Sequence, residues 1–501
     1  MSTITLNHLN FAYDGQAPLF QDVAFNFDTS WHLGLVGRNG RGKTTLLRLL
    51  QHQLDYTGTI SVPVALNYFP QPISDPAQLT LYALQATNDF EQWQLEREMN
   101  LMGLNPELLW RPFADLSGGE QTKVRLALLF TDHDRFALID EPTNHLDQAG
   151  RQQVAAYLKQ QSGFITVSHD RDFLDAVCDH ILAIDRQQIT LHQGDYTTYA
   201  TAKASQDQAE AAQDQKLRQD INRLQQTAAK KGEWAASREK DKYGDRHVKG
   251  SGAVADKGFV GARAARVMQK RKNLEHRMDK EIQAKSALLQ NVETVAPLTI
   301  SVIPDHHDVY VHAEDITLNY PGAKPLFAPV RFDIRPGDRV ALVGPNGIGK
   351  STLLHAIAGT WRGEQQGSLT QPKLATSWLA QHNHATGTIQ AWAEAQHLPY
   401  QALLNNLKKL GLERTSFTTP IEHLSLGQQK KVALAASLVT PASLYVWDEP
   451  LNYLDLYNQD QLADSILAAK PTLLFVEHDQ AFIDKVATKI VRLNQSEAKR
   501  V

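Results

Sequence analysis

Short apolar runs alternate with helical patterns along most of this chain. The runs 32–36 and 339–343 each lead into a glycine-rich turn and then into a helical pattern. Apolar runs of this length, bounded by turn residues, indicate buried strands. Strands that alternate with helices indicate an α/β fold with a parallel sheet. Further buried strands are predicted at 136–139, 164–167, 443–447 and 472–476.

The alternation stops between about Thr201 and Asn291, where the chain is rich in Gln, Ala, Lys, Arg and Glu. This composition predicts two helices, at about 203–240 and 262–291. Five glycines lie between 241 and 261, and glycines that dense break a helix. The simplest prediction is a helical hairpin with a flexible tip. A helix of 30 residues is about 45 Å long, so the tip would lie far from the α/β regions.

The two α/β regions repeat one set of motifs at a nearly constant offset. Gly-Arg-Asn-Gly-Arg-Gly-Lys-Thr at 37–44 returns as Gly-Pro-Asn-Gly-Ile-Gly-Lys-Ser at 344–351, and Ser-His-Asp at 168–170 returns as Glu-His-Asp at 477–479. This duplication predicts three parts. They are a first α/β domain at 1–200, a helical linker at 201–295 with its tip at about 241–261, and a second α/β domain at 296–501.

Each Gly-x-x-x-x-Gly-Lys-Thr/Ser loop predicts a site for ATP and Mg²⁺. Its glycines let backbone N–H groups surround the phosphates, and the following helix directs its positive end at the same anion. The lysine adds charge to the β- and γ-phosphates, and the hydroxyl of Thr44 or Ser351 is a candidate Mg²⁺ ligand. The predicted nucleotide-binding residues are Gly37, Asn39, Gly40, Gly42, Lys43, Thr44 and Thr45, with Gly344, Asn346, Gly347, Gly349, Lys350, Ser351 and Thr352 in the second copy.

Paired carboxylates follow two apolar strands and are the predicted catalytic groups. Asp140 and Asp448 end these strands, where a carboxylate is placed to hold Mg²⁺ through water. Glu141 and Glu449 come next and are the candidates for polarising the attacking water. A carboxylate pair in this position is often only a helix cap, but the phosphate loops favour the catalytic interpretation.

Three further pairs occupy matched positions in the two copies. His169 and His478 follow predicted strands and are candidate sensors of the γ-phosphate, although a single histidine there is usually structural. A second pair, Gln71 and Gln381, is placed to sense Mg²⁺ or water. The third pair, Tyr13 and Tyr320, precedes the phosphate loops. These tyrosines are candidates for stacking on adenine, with ordinary strand packing as the alternative.

Charge is divided unevenly along the chain. The net charge is −4, yet 216–285 carries 19 Lys and Arg against 9 Asp and Glu, so the rest of the chain carries −14. A basic linker between acidic domains suggests a polyanion partner; a solvated helical hairpin is the alternative. Cys178 is the only cysteine, which excludes an intramolecular disulfide and a cysteine zinc site. With no membrane-length apolar run and no signal pattern, we expect a cytoplasmic protein.

The repeated motifs resemble the ATP-binding cassette superfamily. Leu-Ser-Gly-Gly-Glu-Gln at 116–121 is similar to its signature loop and returns as Leu-Ser-Leu-Gly-Gln-Gln at 424–429. The resemblance implies two cassettes that face head to tail, each ATP lying between the P-loop of one and the signature of the other. For this sequence, the resemblance implies that Ser425 and Gly427 complete the ATP site that contains Lys43. The second site is completed by Ser117, Gly118 and Gly119.

Tandem cassettes with a charged helical linker resemble class F of that superfamily. Glu-Pro-Thr-Asn-His-Leu-Asp at 141–147 and Gly-Asp-Tyr-Thr-Thr-Tyr at 194–199 carry this similarity. The segments at 256–268, 285–293 and 448–455 resemble its antibiotic-resistance branch of the Lsa and Vga type. The resemblance implies an ATPase that associates with the bacterial 70S ribosome and whose basic linker reaches rRNA and the P-site tRNA. The implied function is protection from lincosamides, pleuromutilins and streptogramin A.

Two other functions remain as alternatives. One is a housekeeping translation factor of the same class, and the other is the ATPase subunit of a drug exporter. An exporter would need a stable membrane partner, which we do not expect, and it would leave the basic linker unexplained. We expect a monomer in which the two cassettes pair within the chain. The second copy departs from the general pattern at Leu426, Leu451 and Tyr453, which puts equal turnover at the two sites in doubt.

Overall fold

The computed structural model describes residues 2–15, 17–144, 146–185, 187–240, 280, 297–381 and 385–495. The chain divides into two compact units, one formed by Met1–Tyr199 with Val295–Val501 and the other by Ala200–Thr294. Both α/β domains belong to the first unit. We call the α/β domain that contains Lys43 the first cassette and the one that contains Lys350 the second cassette.

The first cassette contains a small antiparallel sheet and a larger, mainly parallel one. The small sheet has the order β2-β1-β4, where β1 is Thr3–Phe11, β2 is Phe20–Asp28 and β4 is Thr57–Ser61. The larger sheet has the order β5-β6-β7-β3-β8-β9. Its strands are β3 (His32–Gly37), β5 (Leu66–Phe69), β6 (Phe136–Asp140), β7 (Phe164–Val167), β8 (His180–Asp185) and β9 (Gln188–Gln193). All neighbours pair in parallel except β8 and β9.

The first cassette also contains several helices, and the first and fourth of them along the chain contact strands of the larger sheet. The helices are α1 (Lys43–Leu50), α2 (Thr80–Gln85), α3 (Gln92–Leu101), α4 (Gly118–Leu129), α5 (Gln148–Leu158) and α6 (Arg171–Val177), with 3₁₀ turns at Pro106–Trp110 and Phe113–Asp115. Leu46, Leu47 and Leu49 of α1 are fully buried in a cluster with Leu33 and Leu35 of β3. Because burying a leucine side chain stabilises the fold by about 1.5–3 kcal/mol, this packing fixes the turn between β3 and α1.

The second cassette repeats this plan. Its antiparallel sheet, in the order β11-β10-β13, is formed by β10 (Val311–Asn319), β11 (Val330–Ile334) and β13 (Glu364–Thr370). Its parallel sheet has the order β14-β15-β16-β12-β17. The strands are β12 (Arg339–Val343), β14 (Thr376–Leu379), β15 (Leu444–Asp448), β16 (Leu473–Val476) and β17 (Lys489–Arg492). The helices are α8 (Lys350–Ile357), α9 (Ile389–Ala395), α10 (Tyr400–Lys409), α11 (Leu426–Val439), α12 (Leu456–Ala469) and α13 (Gln480–Val486), with 3₁₀ turns at Arg414–Phe417 and Ile421–His423.

A long helix, α7 (Tyr196–Lys240), leaves the first cassette. It begins earlier than the predicted start at about 203, because the Asp195 carboxylate accepts a hydrogen bond from the backbone N–H of Thr198 at 2.8 Å and caps the first turn. The predicted tip at 241–261 lies outside the described residues, as does all of the predicted second helix except Lys280. The prediction of two tandem α/β domains is confirmed.

Candidate functional site

The two P-loops adopt nearly the same backbone conformation. Gly42 and Gly349, which precede α1 and α8, have φ of 95° and 103°, a region that glycine adopts readily. A Cβ atom on Gly42 would lie 2.7 Å from Leu19 Cδ2, so the loop also needs glycine for space. The lysines fold back over their loops. Lys43 Nζ donates to Gly37 O at 2.8 Å, and Lys350 Nζ donates to Gly344 O at 2.7 Å.

Residues from both cassettes line one cavity of about 680 Å³, which we call the first site. The first cassette contributes predicted residues from its P-loop and from the ends of β6 and β7. The second cassette contributes Gly427 of its signature and the loop Leu451–Tyr453. Among the predicted residues, those lining the cavity are Tyr13, Asn39, Gly40, Gly42, Lys43, Thr44, Thr45, Asp140, Glu141, His169 and Gly427.

We call the P-loop of Lys350 and the strand-end residues of the second cassette the second site. Lys350, Ser351, Gln381, Asp448 and Glu449 are absent from the lining of the smaller cavity there, which has a volume of about 260 Å³. Gly344 and His478 line it together with Asp147 and Gln148 of the first cassette. The signature residues of the first cassette, Ser117, Gly118 and Gly119, are absent from the lining of both cavities. Tyr320 is also absent from these linings and packs edge-on against Trp361, with ring centroids 5.0 Å apart.

Each signature serine caps its own helix. The Ser117 hydroxyl accepts from Glu120 N at the start of α4, and the Ser425 hydroxyl accepts from Gln428 N at the start of α11. Because an N-cap leaves the following N–H groups at the positive end of the helix dipole, each helix presents an anion-binding end. The end of α11, with Gly427, faces the first site.

The carboxylates lie where the carboxyl ends of the central strands meet. Thr44 Oγ1 donates to Asp140 Oδ2 at 2.9 Å, and Tyr68 OH donates to the same oxygen at 3.1 Å. Glu141 and Glu449 have φ of 56° and 49°, in the left-handed region that costs a non-glycine residue about 1–3 kcal/mol. Matched strain at both glutamates marks these two turns as functional candidates.

The two glutamates have different neighbours. In the first site, His169 Nε2 lies 3.1 Å from Glu141 Oε1. In the second site, Gln381 Nε2 donates to Glu449 Oε2 at 2.9 Å, and His478 Nε2 lies 3.8 Å from Glu449 Oε1, beyond hydrogen-bond distance. The sites therefore share residue types at matched positions but differ in contacts.

Burial sets the protonation of these groups. It lowers the pKa of the His169 imidazole well below its usual value, and nearby Lys43 adds to the effect. It raises the pKa of the Glu141 carboxyl, which Lys43 partly opposes. The pKa of His478 is likewise lowered, mainly by burial. A neutral histidine near neutral pH donates one N–H without adding charge, which suits orientation of a phosphate oxygen or a water molecule.

The oxygen atoms around Lys43 are suitable ligands for Mg²⁺, which prefers hard oxygen donors. Thr44 and Asp140 of the predicted set line the first site, whereas Gln71, the third predicted ligand, is absent from the lining of that cavity. Within the described parts of the chain, neither side-chain polar atom of Gln71 has a hydrogen-bond partner, although both are buried. A buried amide without partners costs free energy, so Gln71 fits a role in binding a metal-bound water. In the second site, burial raises the pKa of the Asp448 carboxyl and the nearby Ser351 hydroxyl lowers it.

The structure adds residues that the sequence analysis did not assign. Asp455 Oδ2 accepts from Asn39 N at 2.7 Å, and Tyr453 O accepts from Asn39 Nδ2 at 3.1 Å. The reverse contact, from Asn346 N to Asp147 Oδ2, is 3.5 Å long. Both copies contain Glu-Pro-x-Asn-x-Leu-Asp, so the sequence marks Asp147 and Asp455 as matched residues. It does not show which P-loop groups these residues contact across the cassette interface.

Comparison with known proteins agrees with this geometry. A family model described as "ABC transporter" matches residues 20–144 and again 327–452. The ribosome protection protein VmlR of Bacillus subtilis is 27% identical over 99% of this chain and 88% of its own length. The erythromycin resistance ATP-binding protein MsrA of Staphylococcus epidermidis is 28% identical over 97% and 96%.

Solved structures show the same fold. The archaeal ribosome recycling factor aABCE1, in complex with the stalk protein aP1, has a TM-score of 0.57 and 19% identity over 94% of this chain and 85% of its own. Among the helices that the structure describes, none has the length and apolar character to cross a membrane. The chain therefore belongs to the ABC transporter family, in its tandem-cassette class F, and is an ATPase whose cassettes bind ATP.

Proposed function

We propose that this protein binds the bacterial 70S ribosome and protects it from antibiotics that act at the peptidyl-transferase centre. Closure of the two cassettes on ATP would drive the linker toward the P-site tRNA. The observation that carries the proposal is the insertion of a strongly basic linker between two cassettes that share an ATP cavity within one chain. We place the protein in the cytoplasm, associated with ribosomes.

In the proposed mechanism, the P-loop backbone and Lys43 bind the ATP phosphates of the first site. Mg²⁺, held by Thr44, Asp140 and Gln71, would supply positive charge to the phosphate oxygens. Glu141 orients the attacking water and accepts its proton, and neutral His169, 3.1 Å away, fixes the position of that carboxylate. The corresponding residues of the second site are Lys350, Ser351, Asp448, Gln381, Glu449 and His478. There the Glu449 carboxylate accepts a hydrogen bond from Gln381 at 2.9 Å, whereas His478 lies 3.8 Å from it.

Closure follows from the sharing of the first site by both cassettes. Gly427, which lines the first site, and Ser425, which precedes it by two residues, would bind the γ-phosphate of an ATP whose other phosphates lie on Lys43. Asn39 is already bonded to Tyr453 and Asp455 of the opposite cassette. ATP therefore adds contacts to both cassettes and favours the closed form, and hydrolysis removes them.

The charge of the linker supports a nucleic-acid partner. The balance of 19 basic against 9 acidic residues over 216–285 contrasts with −14 on the rest of the chain. Phosphate contacts dominate the affinity of such segments and weaken as salt is added. The acidic cassettes would be repelled by rRNA, so the linker is the segment expected to reach rRNA and tRNA.

The protective function is supported by the names of two relatives that match nearly the whole chain. One is called a ribosome protection protein and the other an erythromycin resistance protein. We propose lincosamides, pleuromutilins and streptogramin A as the drugs that are relieved, since the linker segments at 256–268 and 285–293 resemble that branch.

The decisive experiment is co-sedimentation of the Glu141→Gln, Glu449→Gln double variant with 70S ribosomes, with and without ATP. Slow hydrolysis should trap the closed form, so stable binding only with ATP is expected. The matched control is the Lys43→Ala, Lys350→Ala double variant, which should not bind. Failure of the first variant to bind, at full ATP occupancy, would overturn the proposal.

A second arm separates protection from a housekeeping role. The wild-type chain and the control variant are expressed in a susceptible strain that is tested against the three drug classes. The wild-type chain is expected to raise the inhibitory concentration of at least one class. ATP-dependent ribosome binding without any such increase would instead support a general translation factor.

A further inference from the structure

The two cassettes differ in charge at two buried positions that the repeat aligns. Glu477, which precedes His478, replaces Ser168 of the first cassette. Lys430, in the second turn of α11, replaces Thr122. Both side chains are at least nine-tenths buried. A buried charge is costly unless it is paired or hydrogen-bonded, and both side chains have hydrogen-bond partners.

The Glu477 carboxylate joins two segments that serve different ATP sites. Its Oε2 accepts from His478 N at 2.8 Å, next to the histidine of the second site. Its Oε1 accepts from Leu451 N at 2.8 Å, at the start of the loop that lines the first site and bonds Asn39 through Tyr453 O. Glu477 lines both cavities.

Lys430 makes a second connection of the same kind. Its Nζ donates to Asp448 O at 3.1 Å and to Ala380 O at 3.2 Å. These carbonyls belong to the predicted Mg²⁺ ligand of the second site and to the residue before Gln381. Lys430 itself lies on α11, whose N-terminal end with Gly427 closes the first site. Glu477 also favours the charged form of Lys430, since its carboxylate raises the pKa of the buried ammonium against the effect of burial.

The aligned residues of the first cassette make neutral contacts. Thr122 Oγ1 donates to Gly118 O within its own helix. Ser168 Oγ lies 3.2 Å from Thr143 Oγ1 and accepts from Asp170 N at 3.1 Å. The charged connections are therefore a property of the second cassette, and the first cassette provides a matched control inside the same chain.

We propose that Glu477 and Lys430 are positioning residues that couple the two ATP sites through the second cassette. Glu477 connects the backbone of His478 in the second site to the loop Leu451–Tyr453 of the first site. Lys430 connects the backbone of Asp448 in the second site to α11, which closes the first site. ATP at the second site, by ordering His478 and Asp448, then favours the closed arrangement around Lys43. Neither residue touches the reacting atoms.

The test measures coupling in the purified chain by ATP hydrolysis, so it does not depend on the proposed ribosomal function. Turnover of the first site is measured in two backgrounds, Glu449→Gln, in which the second site retains ATP, and Lys350→Ala, in which it binds ATP poorly. The ratio of the two rates is the coupling factor. We expect a factor of about 5 or more, the usual lower range for coupled sites.

Glu477→Ser and Lys430→Thr, which install the residues of the first cassette, are expected to bring this ratio close to 1. Ser168→Ala and Thr122→Val should leave it unchanged. A purely structural role would lower both rates together and preserve the ratio. If the two variants fold poorly, the near-isosteric Glu477→Gln and Lys430→Met replace them. In Glu477→Gln, an amide NH₂ faces one of the two backbone N–H groups, so one contact is lost.

Three outcomes would overturn the proposal. They are a ratio near 1 in the chain that keeps both residues, a ratio unaffected by substitution of Glu477 and Lys430, and an equal loss on substitution of Ser168 and Thr122.

Discussion

Arg171 of the first cassette and Asp460 of the second form an ion pair across the cassette interface, with Nη2 2.7 Å from Oδ2. Arg171 also donates to Leu456 O at 3.2 Å. The aligned positions in the repeat are Gln480 and Gln152, which are uncharged. A second contact lies on the same side of the interface, where the guanidinium of Arg38 is 4.0 Å from the centre of the Tyr457 ring. The residues aligned with this pair are Pro345 and Ala149, which cannot form such a contact. The cassettes are thus held more firmly beside the first site.

Removing the ion pair should weaken ATP binding at the first site by a modest amount. Asp460→Asn in the Glu449→Gln background is expected to raise the half-saturating ATP concentration about threefold. Such partly exposed pairs contribute about 0.2–1 kcal/mol, and Asp460 is 46% exposed. The control is Gln152→Ala, at the aligned position, which should have no effect. Because Arg171 also donates to Leu456 O, Arg171→Gln should cause a further loss in the Asp460→Asn variant, but a smaller one than in the parent background. Fully additive losses would show that the two residues act separately.

Asp455 should matter more than Asp147, although the repeat aligns them. Each carboxylate caps its own helix, but Asp455 accepts from Asn39 N at 2.7 Å whereas Asp147 lies 3.5 Å from Asn346 N. In Asp455→Asn, the side-chain oxygen still caps the helix that follows. An NH₂ group then replaces the oxygen that accepts from Asn39 N in the opposite P-loop. Loss of a charged hydrogen bond of about 1.5–3 kcal/mol should lower turnover of the first site about tenfold or more in Asp455→Asn.

Asp147→Asn is the matched control for that change, and turnover of the second site should fall less than about threefold, since the bond at stake is long. Site-specific rates come from the Glu449→Gln and Glu141→Gln backgrounds. Equal losses at the two sites would show that the difference in length between the two contacts has no functional consequence.

The elements of the cassettes could be predicted because their patterns are local. The apolar run 136–139 became β6, and the run 472–476 became β16, within one residue at each end. P-loop glycines, strand-end carboxylates and helix caps are also encoded within a few residues. The tandem duplication followed from motif spacing alone.

Contacts between the cassettes could not be predicted in this way. The hydrogen bond from Asn39 to Asp455 joins residues 416 positions apart, and no local pattern specifies which backbone N–H an aspartate accepts from. The same holds for Glu477, which appeared in sequence only as a variant of Ser168. Its two acceptor contacts depend on how β16 and the loop after β15 pack.

The predicted linker tip should be needed for protection and dispensable for ATP hydrolysis. The segment 244–255 lies outside the described residues, so the prediction rests on the sequence and on the proposed function. Deletion of this segment should leave the ATPase rate of the purified chain within about twofold and should abolish protection in the susceptible strain. The matched control replaces the segment with a Gly/Ser linker of the same length, which keeps the reach of the chain. Full protection by the deletion would refute a role for the tip.

Ionisation of the buried Glu477 carboxyl should lower the free energy of unfolding as pH rises. Burial raises the pKa of its carboxyl to about 7. The backbone N–H groups of His478 and Leu451 favour the carboxylate, and the charges of Asp479 and Glu449 oppose it. Because the folded-state pKa exceeds the usual 4.5, the folded protein retains a proton that the unfolded chain releases. The stabilisation of the folded state by this group is therefore complete below pH 4.5 and is lost as pH rises toward 7.

Glutamine does not titrate, so Glu477→Gln should melt progressively higher relative to the wild type between pH 5 and 8. The pKa shift corresponds to about 3 kcal/mol at full ionisation, or on the order of 5 °C in the melting temperature, measured by differential scanning fluorimetry at matched ionic strength. Ser168→Ala, at the aligned position, should show a difference from the wild type that does not change with pH. A constant difference for Glu477→Gln would mean that this carboxyl does not titrate in the window. A variant that is more stable at pH 8 and has lost coupling between the sites would separate the role of Glu477 in positioning from any role in holding the fold together.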